Sequence, residues 1–557
     1  MRPTRLPDGR SVSEFRAAGH WQDRSLDYYV ERAARLRGDD IAVVDGARRL
    51  TFSEVHRDAM RLAAALDARG VRSGDVVSFQ LPNCAEAVIV YHALHRIGAV
   101  ANPIVPIYRG REVTFIARQA RSRVVIIPGV HRGFDYVEMY RALAPELPDL
   151  DLLITIDSTP REGVETLASL LDSVTDDQVD RVRDLPSPDP DDVCLLLYTS
   201  GTTADPKGAL HSHNTLIFEN QSMIDTFALT ESDVIFNPSP VTHITGVNCA
   251  LTLPFLLGAT VVLQDVWDSQ KALRQIRNER ASFMIFATPF LRGLLDAARD
   301  SGLETPSIRY IICGGADIPD ALVTEADERL GTITRMYGAT EGPSVTSANL
   351  ADGPELRKYS DGRVLAPTEV VIVDEAGRTV ETGQVGEVLW RGPDTCLGYL
   401  DAALNDDAFT ESGFFRTGDL ARFDERGGIH IVGRIKDIIN RSGEKISTYD
   451  VENQLSEHPL VVEVAVVAGP DRVTGERGCA FVVTRDRADL SLEEVRQFLV
   501  GRGVAVQKVP ESVFVVDALP KTASGKIQKF ALRDFTRDRS TAPEQMAATS
   551  VVAVHER

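Results

Sequence analysis

The sequence predicts a mixed α/β fold, and three patterns lead to that prediction. Short apolar runs at residues 76–81, 124–127 and 234–237 alternate with longer amphipathic segments, which is typical of βαβ units around a largely parallel sheet. After about Gly353, short strand-like runs separated by glycines predict a small β-barrel-like subdomain. Residues 436–535 mix helical and strand patterns and predict a small α+β domain.

The chain has 557 residues, which is long enough for more than one domain. We place a polar N-terminal extension at residues 1–24 and a large N-terminal domain built of βαβ subdomains at 25–435. A small, mobile C-terminal domain is predicted at 436–535 and a polar, mobile tail at 536–557.

Composition narrows the class of protein. Hydrophobic residues make up 43% and charged residues 25% of the chain, as in ordinary globular domains. The net charge of −20 argues against a nucleic-acid-binding surface. The apolar run 251–263 is too short and too broken by Pro254 and Gly258 to span a bilayer. The N-terminus shows no apolar signal segment, and the six cysteines are scattered, so we expect a cytoplasmic protein with free thiols.

Residues 195–208, LLLYTSGTTADPKG, predict a buried strand that leads into a phosphate-binding loop. Gly201 allows the backbone to approach an anion closely, successive N–H groups can surround it, and Lys207 adds positive charge. A helix is expected at 211–227, with its N-terminus facing the same anion. Further donors would come from the hydroxyl groups of Thr199, Ser200, Thr202 and Thr203.

This loop differs from the common P-loop, because Pro206 replaces the second glycine and Gly208 follows the lysine. A flexible surface loop is the alternative interpretation, which the buried strand and the Pro-Lys-Gly ending disfavour. The string YTSGTTADPKG resembles the phosphate loop of adenylate-forming enzymes, which include acyl-CoA synthetases, adenylation domains and luciferases. That family usually has glycine where this chain has Ala204, and alanine would be strained there if φ is positive.

The sequence MYGATEG at 336–342 combines an aromatic ring, glycines, a hydroxyl group and a carboxylate. Tyr337 could stack on a purine, and Glu341 could hold Mg²⁺ beside phosphate oxygens. A turn with a core tyrosine is the alternative. The segment resembles the family motif Y-G-x-T-E, and residues 240–246 resemble its P-x-x-H-x-x-G element, which lines the acyl pocket and contains His243.

The C-terminal third contains further motifs of the same family. Asp419 matches the aspartate of its T-G-D motif, which takes the ribose hydroxyls, and a carboxylate can accept two O–H bonds from a vicinal diol. The sequence GRIKD resembles the family hinge, which implies that Arg434 contacts ribose or phosphate and that Lys436 is the pivot. The segment PKTASGK ends at Lys526, which matches the family lysine that enters the active site.

The resemblance covers roughly residues 40–535 and implies an ATP-dependent acyl-CoA synthetase that works through an acyl-AMP intermediate. The implied catalytic residues are Lys526, Lys207, His243 and Glu341, with Thr199 and Glu341 as Mg²⁺ ligands. The implied ATP or AMP contacts are Thr199, Ser200, Gly201, Thr202, Thr203, Lys207, Gly315, Ala316, Asp317, Met336, Tyr337, Gly338, Thr340, Asp419, Arg434 and Lys526. The implied CoA contacts are Ser442, Gly443 and Lys445, and the implied acyl pocket consists of His243, Val247, Phe286, Gly314, Gly338 and Pro343.

Two other interpretations stay open at this point: an enzyme that loads a separate carrier protein, and a non-catalytic nucleotide sensor with the same fold. Residues 101–104 and 131–135 resemble the cyclohexanecarboxylate-CoA ligase branch, which implies a medium-sized, alicyclic or otherwise bulky apolar acid. The expected partners are that acid, ATP and CoA, with no nucleic acid and no transmembrane segment; a homodimer is left open.

Overall fold

The structure is a computed structural model that describes residues 9–199, 206–305, 307–315, 318, 320–521, 527–537 and 554–555. The chain divides into two compact units, the first comprising residues 1–369 and 390–415 and the second 370–389 and 416–557. The sequence-based boundary between residues 435 and 436 stays a prediction. The predicted tail at 536–557 lies mostly outside the described residues.

Two large sheets organise the first unit, and each contains parallel strands, as the sequence predicts. The nine-stranded sheet has the order Arg363–Val364, Gly342–Ser347, Thr332–Ala339, Tyr310–Gly314, Phe283–Phe286, Val234–Asn237, Thr260–Leu263, Ile41–Asp45 and Arg48–Thr51. The seven-stranded sheet has the order Lys207–Ser212, Val193–Thr199, Val100–Pro103, Val76–Phe79, Val124–Ile127, Leu152–Thr155 and Glu165–Thr166. Val130–His131 and Phe134–Asp135 form a small separate hairpin.

Helices connect and cover these strands. The α-helices of the first unit are Gly9–Ala17, Leu26–Arg37, Phe52–Ala68, Ala85–Arg96, Gly110–Ala120, Tyr136–Leu143, Leu167–Ser173, Asp176–Arg183, His213–Phe227, Ile244–Gly246, Leu253–Leu257, Ser269–Asn278, Thr288–Ser301, Asp320–Arg329, Pro354–Tyr359 and Asn405–Ala408. A π-helix spans Val247–Thr252, and 3₁₀ turns span Ala144–Glu146 and Ala402–Leu404. None of the helices in the described ranges has both the length and the apolar character that crossing a bilayer requires.

Alternating side chains place the two faces of the nine-stranded sheet in different cores. In the strand Phe283–Phe286, Phe283 and Ile285 belong to one buried cluster, and Met284 and Phe286 belong to another. This is the period of two that a strand imposes, since successive side chains point to opposite faces. The sheet is therefore covered on both faces, as parallel strands require.

The N-terminal segment is more ordered than the expected polar extension. It contains the helix Gly9–Ala17, and the Trp21 indole is buried and donates a hydrogen bond to the Pro393 carbonyl at 3.0 Å. The polar tract before the phosphate loop also contains a helix, Asp176–Arg183, in which Val182 is buried. Polar composition alone concealed both features, because Trp21 and Val182 are single buried apolar residues in otherwise polar segments.

The prediction that a helix begins at residue 211 and faces the phosphate loop is wrong. Lys207–Ser212 is a strand that pairs antiparallel with Val193–Thr199, and the helix begins at His213 with Ser212 as its N-cap. Six residues of strand span roughly 20 Å. The helix N-terminus therefore lies at the far end of the hairpin from the loop. An anion bound at the loop would be held by backbone N–H groups and Lys207, without a contribution from this helix.

The second unit contains most of a four-stranded sheet and a separate α+β core. The four strands are, in order, Glu369–Val373, Gly386–Arg391, Phe415–Phe423 and Ile429–Arg434. They form the β-rich region that the sequence predicted as a small barrel-like subdomain after about Gly353. The other sheet has the order Glu444–Ser447, Ile438–Arg441, Gly475–Thr484, Ser512–Val516 and Val554–His555, with Val461–Asp471 also pairing with Gly475–Thr484. Its helices are Thr448–Ser456, Leu492–Gly501 and Lys529–Arg537, and its 3₁₀ turns are Ile435–Asp437, Arg485–Arg487 and Val506–Lys508.

Candidate active site

The ends of two strands hold the base of the predicted phosphate loop. Thr199 is the last residue of one strand and pairs with Lys207, the first residue of the next. The Thr199 hydroxyl lies 3.4 Å from the Lys207 carbonyl oxygen. Four predicted loop residues, Ser200, Gly201, Thr202 and Thr203, lie outside the described residues, as does Ala204. The hairpin thus fixes where the loop starts and ends.

Glu341 is a buried carboxylate with a neutral partner. It follows the strand Thr332–Ala339 and is 7% exposed. The Tyr399 hydroxyl donates to Glu341 Oε1 at 2.5 Å, and the Cys396 N–H donates to the Glu341 carbonyl at 2.8 Å. No arginine, lysine or histidine in the described part of the chain forms an ion pair with this carboxylate. Because a phenol is uncharged, this hydrogen bond brings no counter-charge to Glu341.

A buried histidine ties the phosphate-loop hairpin to the neighbouring motif. His211 Nε2 lies 2.8 Å from the Thr340 carbonyl, and His211 Nδ1 lies 3.2 Å from the Thr215 hydroxyl. Burial lowers the pKa of His211 to about 4, so the ring is neutral at pH 7. The carbonyl can only accept, so Nε2 carries the proton. His211 thereby holds the backbone directly before Glu341.

The remaining motif residues lie on the hairpin formed by Thr332–Ala339 and Gly342–Ser347. Tyr337 meets the Trp390 ring edge-to-face, with 5.8 Å between centroids. Gly338 must lack a side chain, because a Cβ there would lie 2.1 Å from the Pro343 carbonyl oxygen. Met336 Sδ lies 3.4 Å from the Ser344 hydroxyl. Near the end of the adjacent strand, Gly315 has a φ of 78°, and the predicted contacts Ala316 and Asp317 lie outside the described residues.

The geometry explains the P-x-x-H-x-x-G spacing at 240–246. His243 caps the short helix Ile244–Gly246, with Nδ1 3.4 Å from the Thr245 amide. A Cβ on Gly246 would lie 2.0 Å from the Pro240 carbonyl, so only glycine fits. Asn83 braces the same loop: its amide donates to the Ser239 carbonyl, and its oxygen accepts from the Val241 N–H at 2.8 Å. His243 is therefore held at the start of the helical segment.

The predicted acyl pocket is only partly brought together. Val247 is buried in the same core as Met336, and the Gly314 backbone packs so tightly that a Cβ there would lie 2.6 Å from the Met336 carbonyl. Phe286 belongs to the core on the other face of the sheet, with Leu291 and Leu294. Phe286 and Val247 thus pack in different cores, and the role of Phe286 in an acyl pocket stays a prediction. Successive side chains of the strand Phe283–Phe286 face opposite sides of the sheet, and this alternation, which no motif encodes, places Phe286 on its face.

In the second unit, Asp419 and Arg434 are cross-strand partners. Arg434 Nε donates to Asp419 Oδ1 at 2.6 Å, and the two residues face each other in the register of an antiparallel pair. The Thr417 hydroxyl accepts from the Asp419 N–H at 2.8 Å. Lys436 lies in the turn Ile435–Asp437, where burial and, to a smaller extent, the Arg434 charge lower its pKa to about 8.

The predicted CoA contacts form a tight turn between Ile438–Arg441 and Glu444–Ser447. Ser442 and Gly443 have φ values of 52° and 87°, the positive values of a type I′ hairpin turn. Lys445 forms an ion pair with Glu375 of the same unit. Lys526 lies outside the described residues, whereas Lys521, five residues before it, pairs with Glu463.

Known proteins identify the family. The sequence pattern of AMP-binding enzymes matches residues 30–400, and that of the AMP-binding enzyme C-terminal domain matches residues 450–526. The chain therefore belongs to the family of AMP-binding enzymes, as its motifs predict.

Individual relatives cover nearly the whole chain. A medium-chain fatty-acid–CoA ligase of Escherichia coli K12 is 36% identical over 523 residues, which is 93% of this chain and 92% of that protein. A salicylyl-CoA synthase/salicylate adenylyltransferase of a Streptomyces species is 34% identical, covering 96% of this chain and 98% of that protein. The crystal structure of the anthranilate CoA ligase AuaEII with anthranoyl-AMP superposes with a TM-score of 0.84 at 26% identity, covering 93% of this chain and 98% of that one.

Sequence reasoning missed Tyr399 and Asn83, although both fix predicted site residues. Tyr399 stands in the segment LGYLD, far along the chain from Glu341, and neither its spacing nor its composition suggests a carboxylate partner. Asn83 follows a strand and a proline, a position that usually indicates a turn. Only the folded arrangement connects them to the site.

Proposed function

We propose that this chain is an AMP-forming acid–thiol ligase that converts a carboxylic acid into an acyl-AMP and then into an acyl-CoA thioester. The arrangement of Glu341 and Lys207 around Tyr399 carries this proposal, because it sets a bare negative charge and a positive charge beside the predicted phosphate loop. A nucleotide sensor could hold Mg-ATP with the same groups, so pyrophosphate exchange is the measurement that distinguishes it from the enzyme.

In the first step, the substrate carboxylate attacks the α-phosphorus of ATP, which forms acyl-AMP and releases pyrophosphate. This displacement depends on alignment and on neutralisation of phosphate charge. Lys207 would neutralise part of that charge, and the backbone around Thr199 would orient the phosphates. The Tyr337 ring would stack on adenine, and Asp419 would accept bonds from the ribose hydroxyls while Arg434 contacts ribose or phosphate.

Glu341 fits a role as a Mg²⁺ ligand. Mg²⁺ prefers one or two carboxylates together with water and phosphate oxygens, and no group of three or more acidic, histidine or cysteine residues in the described ranges could hold a metal alone. Glu341, with Thr199, would therefore bind the ion only together with ATP. The bound ion would add positive charge at the phosphates.

In the second step, the CoA thiol attacks the acyl carbonyl and AMP leaves. The same site then needs a different surface, which rotation of a small domain about Lys436 would supply. The turn at Ser442 and Gly443, together with Lys445, would face CoA in that state. Loading of a separate carrier protein is the alternative acceptor, and the two acceptors differ only in this second step.

The acyl substrate is proposed to be a medium-sized acid with an alicyclic or otherwise bulky apolar body. The names of the relatives support a range of such acids, from a medium-chain fatty acid to salicylate. His243, Val247 and Gly314 would line this part of the site, with Gly338 and Pro343 beside the reacting carboxylate. We further propose that the enzyme works in a reducing cytoplasm, which is supported by its six free cysteines.

A panel of carboxylic acids tests the proposal. Pyrophosphate release would be measured with each acid, first without an acceptor, then with CoA, and then with a phosphopantetheinylated carrier protein. We expect release with bulky apolar acids and thioester formation with CoA. Thioester on the carrier alone would favour the alternative acceptor, and the absence of pyrophosphate exchange with every acid would refute the proposal.

Lys526→Ala separates the two steps. We expect acyl-AMP formation to fall by about 10²-fold or more, on the scale of one lost electrostatic contact in a transition state. Supplied acyl-AMP should still be converted to acyl-CoA at a near-native rate. Lys436→Pro fixes φ at the pivot, so it should leave acyl-AMP formation near native and slow the conversion of supplied acyl-AMP to acyl-CoA. Lys521→Ala is the matched control, since Lys521 already pairs with Glu463. Equal slowing of both steps in Lys526→Ala would exclude the proposed domain rotation.

A further inference from the structure

The segment containing Tyr399 adds a short extended stretch to the phosphate-loop hairpin. Leu397 N–H donates to the Leu210 carbonyl at 2.7 Å, and Leu210 N–H donates to the Gly398 carbonyl at 3.0 Å. Leu400 N–H donates to the Gly208 carbonyl at 2.7 Å. These backbone bonds flank Tyr399 on both sides, so its position is tied to the strand that begins at Lys207.

The Tyr399 side chain contacts both charged groups of the candidate site. It is 3% exposed, and its hydroxyl donates to Glu341 Oε1 at 2.5 Å. The Lys207 ammonium lies 5.4 Å from the centroid of the Tyr399 ring, within the range of a cation–π contact. One aromatic side chain therefore joins the predicted metal carboxylate to the predicted phosphate lysine.

The chemistry of the phenol suits this position. A phenol O–H is an uncharged donor, and the Tyr399 hydroxyl is buried against the Glu341 carboxylate. The O–H···O distance lies in the range of charge-assisted hydrogen bonds. The bond occupies Glu341 Oε1 and restricts rotation of the carboxylate, while a neutral donor leaves the negative charge in place.

We propose that Tyr399 is a positioning residue that orients Glu341 toward the ATP-bound metal ion and Lys207 toward the ATP phosphates. The inference rests on the proposed function, since it assumes that Glu341 and Lys207 serve ATP. It adds a residue to the site that acts through its hydrogen bond and its ring, without contacting substrate.

Tyr399→Phe tests the hydroxyl group, and Tyr91→Phe is the matched control. Tyr91 is also buried, and its hydroxyl lies 3.0 Å from the Thr252 hydroxyl. Binding of Mn²⁺ in the presence of α,β-methylene-ATP would be measured from the electron paramagnetic resonance signal of free Mn²⁺. We expect about tenfold weaker Mn²⁺ binding in Tyr399→Phe, the scale of one charge-assisted hydrogen bond, and native binding in Tyr91→Phe.

A double-mutant cycle distinguishes positioning from a general structural effect. In a Glu341→Gln background, Tyr399→Phe should cause no further loss of Mn²⁺ binding, because the oriented carboxylate is already absent. Tyr399→Leu, which also removes the ring, should additionally weaken metal-free ATP binding. Thermal unfolding of each variant would verify that it is folded.

Two results would overturn the inference: native Mn²⁺ binding in folded Tyr399→Phe, or an equal loss in the wild-type and Glu341→Gln backgrounds. Failure of the proposed function would look different, because the wild-type protein would then give no pyrophosphate exchange with any acid. The metal-binding comparison can be made whether or not exchange is seen.

Discussion

Glu341 in the first unit and Asp419 in the second are both predicted to serve ATP, yet their surroundings differ. Glu341 is buried and accepts a hydrogen bond from the neutral Tyr399 hydroxyl. Asp419 has a side chain that is 15% exposed and pairs with the Arg434 guanidinium at 2.6 Å. A neutral donor leaves a carboxylate's charge unbalanced, whereas a guanidinium cancels most of it. The partner, more than the residue type, decides what each carboxylate can bind.

Under the proposed function, this difference suits the two carboxylates to different parts of a nucleotide. A buried anion without a fixed counter-charge is costly in isolation and gains most from an incoming cation. An aspartate already paired with arginine gains little from a metal but can still accept hydrogen bonds from hydroxyl groups through its remaining lone pairs. Glu341 thus suits Mg²⁺, and Asp419 suits a ribose diol.

The largest expected effect is that of Glu341→Gln, which removes the unbalanced charge and keeps the shape. We expect pyrophosphate exchange to fall by about 10²-fold and the Mg²⁺ concentration for half-maximal exchange to rise. Glu279→Gln, at a surface pair with Arg49, is the control for loss of a carboxylate. An unchanged Mg²⁺ titration in Glu341→Gln would remove Glu341 from the metal site and abolish the distinction between the two carboxylates.

Asp419→Asn should have a smaller effect and of a different kind. We expect the KM for ATP to rise about tenfold, on the scale of a hydrogen bond to a charged group, with an unchanged Mg²⁺ titration. The wild-type enzyme should also discriminate against 2′-deoxyATP, and the variant should discriminate less, because the diol has lost its charged acceptor. The comparison fails if Asp419→Asn alters the Mg²⁺ requirement as strongly as Glu341→Gln does.

The motifs located Glu341 and Asp419 in the sequence as candidate ligands of ATP, because short motifs encode local backbone geometry. Gly338 and Gly246 show why: each spacing brings a carbonyl within about 2 Å of where a Cβ would stand. Local patterns also predicted most strands of both large sheets. The functional roles of Glu341 and Asp419 stay predictions.

Long-range partners could not be predicted in the same way. Tyr399 reaches Glu341 across 58 positions of the chain, and no periodicity spans that distance. The helix predicted at 211–227 begins at His213, because the pairing of Lys207–Ser212 with Val193–Thr199 is a tertiary interaction that local sequence does not encode. Sequence also does not reveal which face of a strand a side chain occupies, so it could not show that Phe286 packs in a different core from Val247.

A third carboxyl group, Glu219, sharpens the comparison, because it is buried with neither a metal role nor a cationic partner. Its Oε1 accepts from the Ser344 hydroxyl at 2.5 Å, and its Oε2 has no hydrogen-bond partner. Burial, with Asp394 nearby, raises the pKa of Glu219 to about 8. Glu219 is therefore expected to be largely protonated at neutral pH.

Glu219→Gln should change the pH dependence of stability. The folded protein keeps a proton on Glu219 that the unfolded chain loses above its pKa of about 4.5, so wild-type stability falls as pH rises from about 4.5 to 8. Glutamine does not titrate, so we expect the variant to gain about 4 kcal/mol of stability relative to wild type between pH 4 and pH 8, at about 1.4 kcal/mol per pKa unit. Urea unfolding at both pH values measures this, and parallel curves would show that Glu219 is ionised in the fold.

The smallest expected effect is that of Arg434→Gln on stability, which tests the other half of the comparison. The Arg434 side chain is 45% exposed, so water and salt screen its pair with Asp419, and such pairs contribute about 0.5 kcal/mol. We expect the variant to lose about that much free energy of unfolding in low salt, and the loss to shrink in 1 M NaCl because the Debye length falls to about 3 Å.

Tyr399→Phe should instead show a stability change that salt does not alter, since its hydrogen bond is buried and its donor is neutral. Urea unfolding of both variants at low and high salt would measure the two responses. The same salt response in both would mean that the two carboxylates do not differ in the charge of their partners, and the assignment of one to metal and the other to ribose would lose its physical basis.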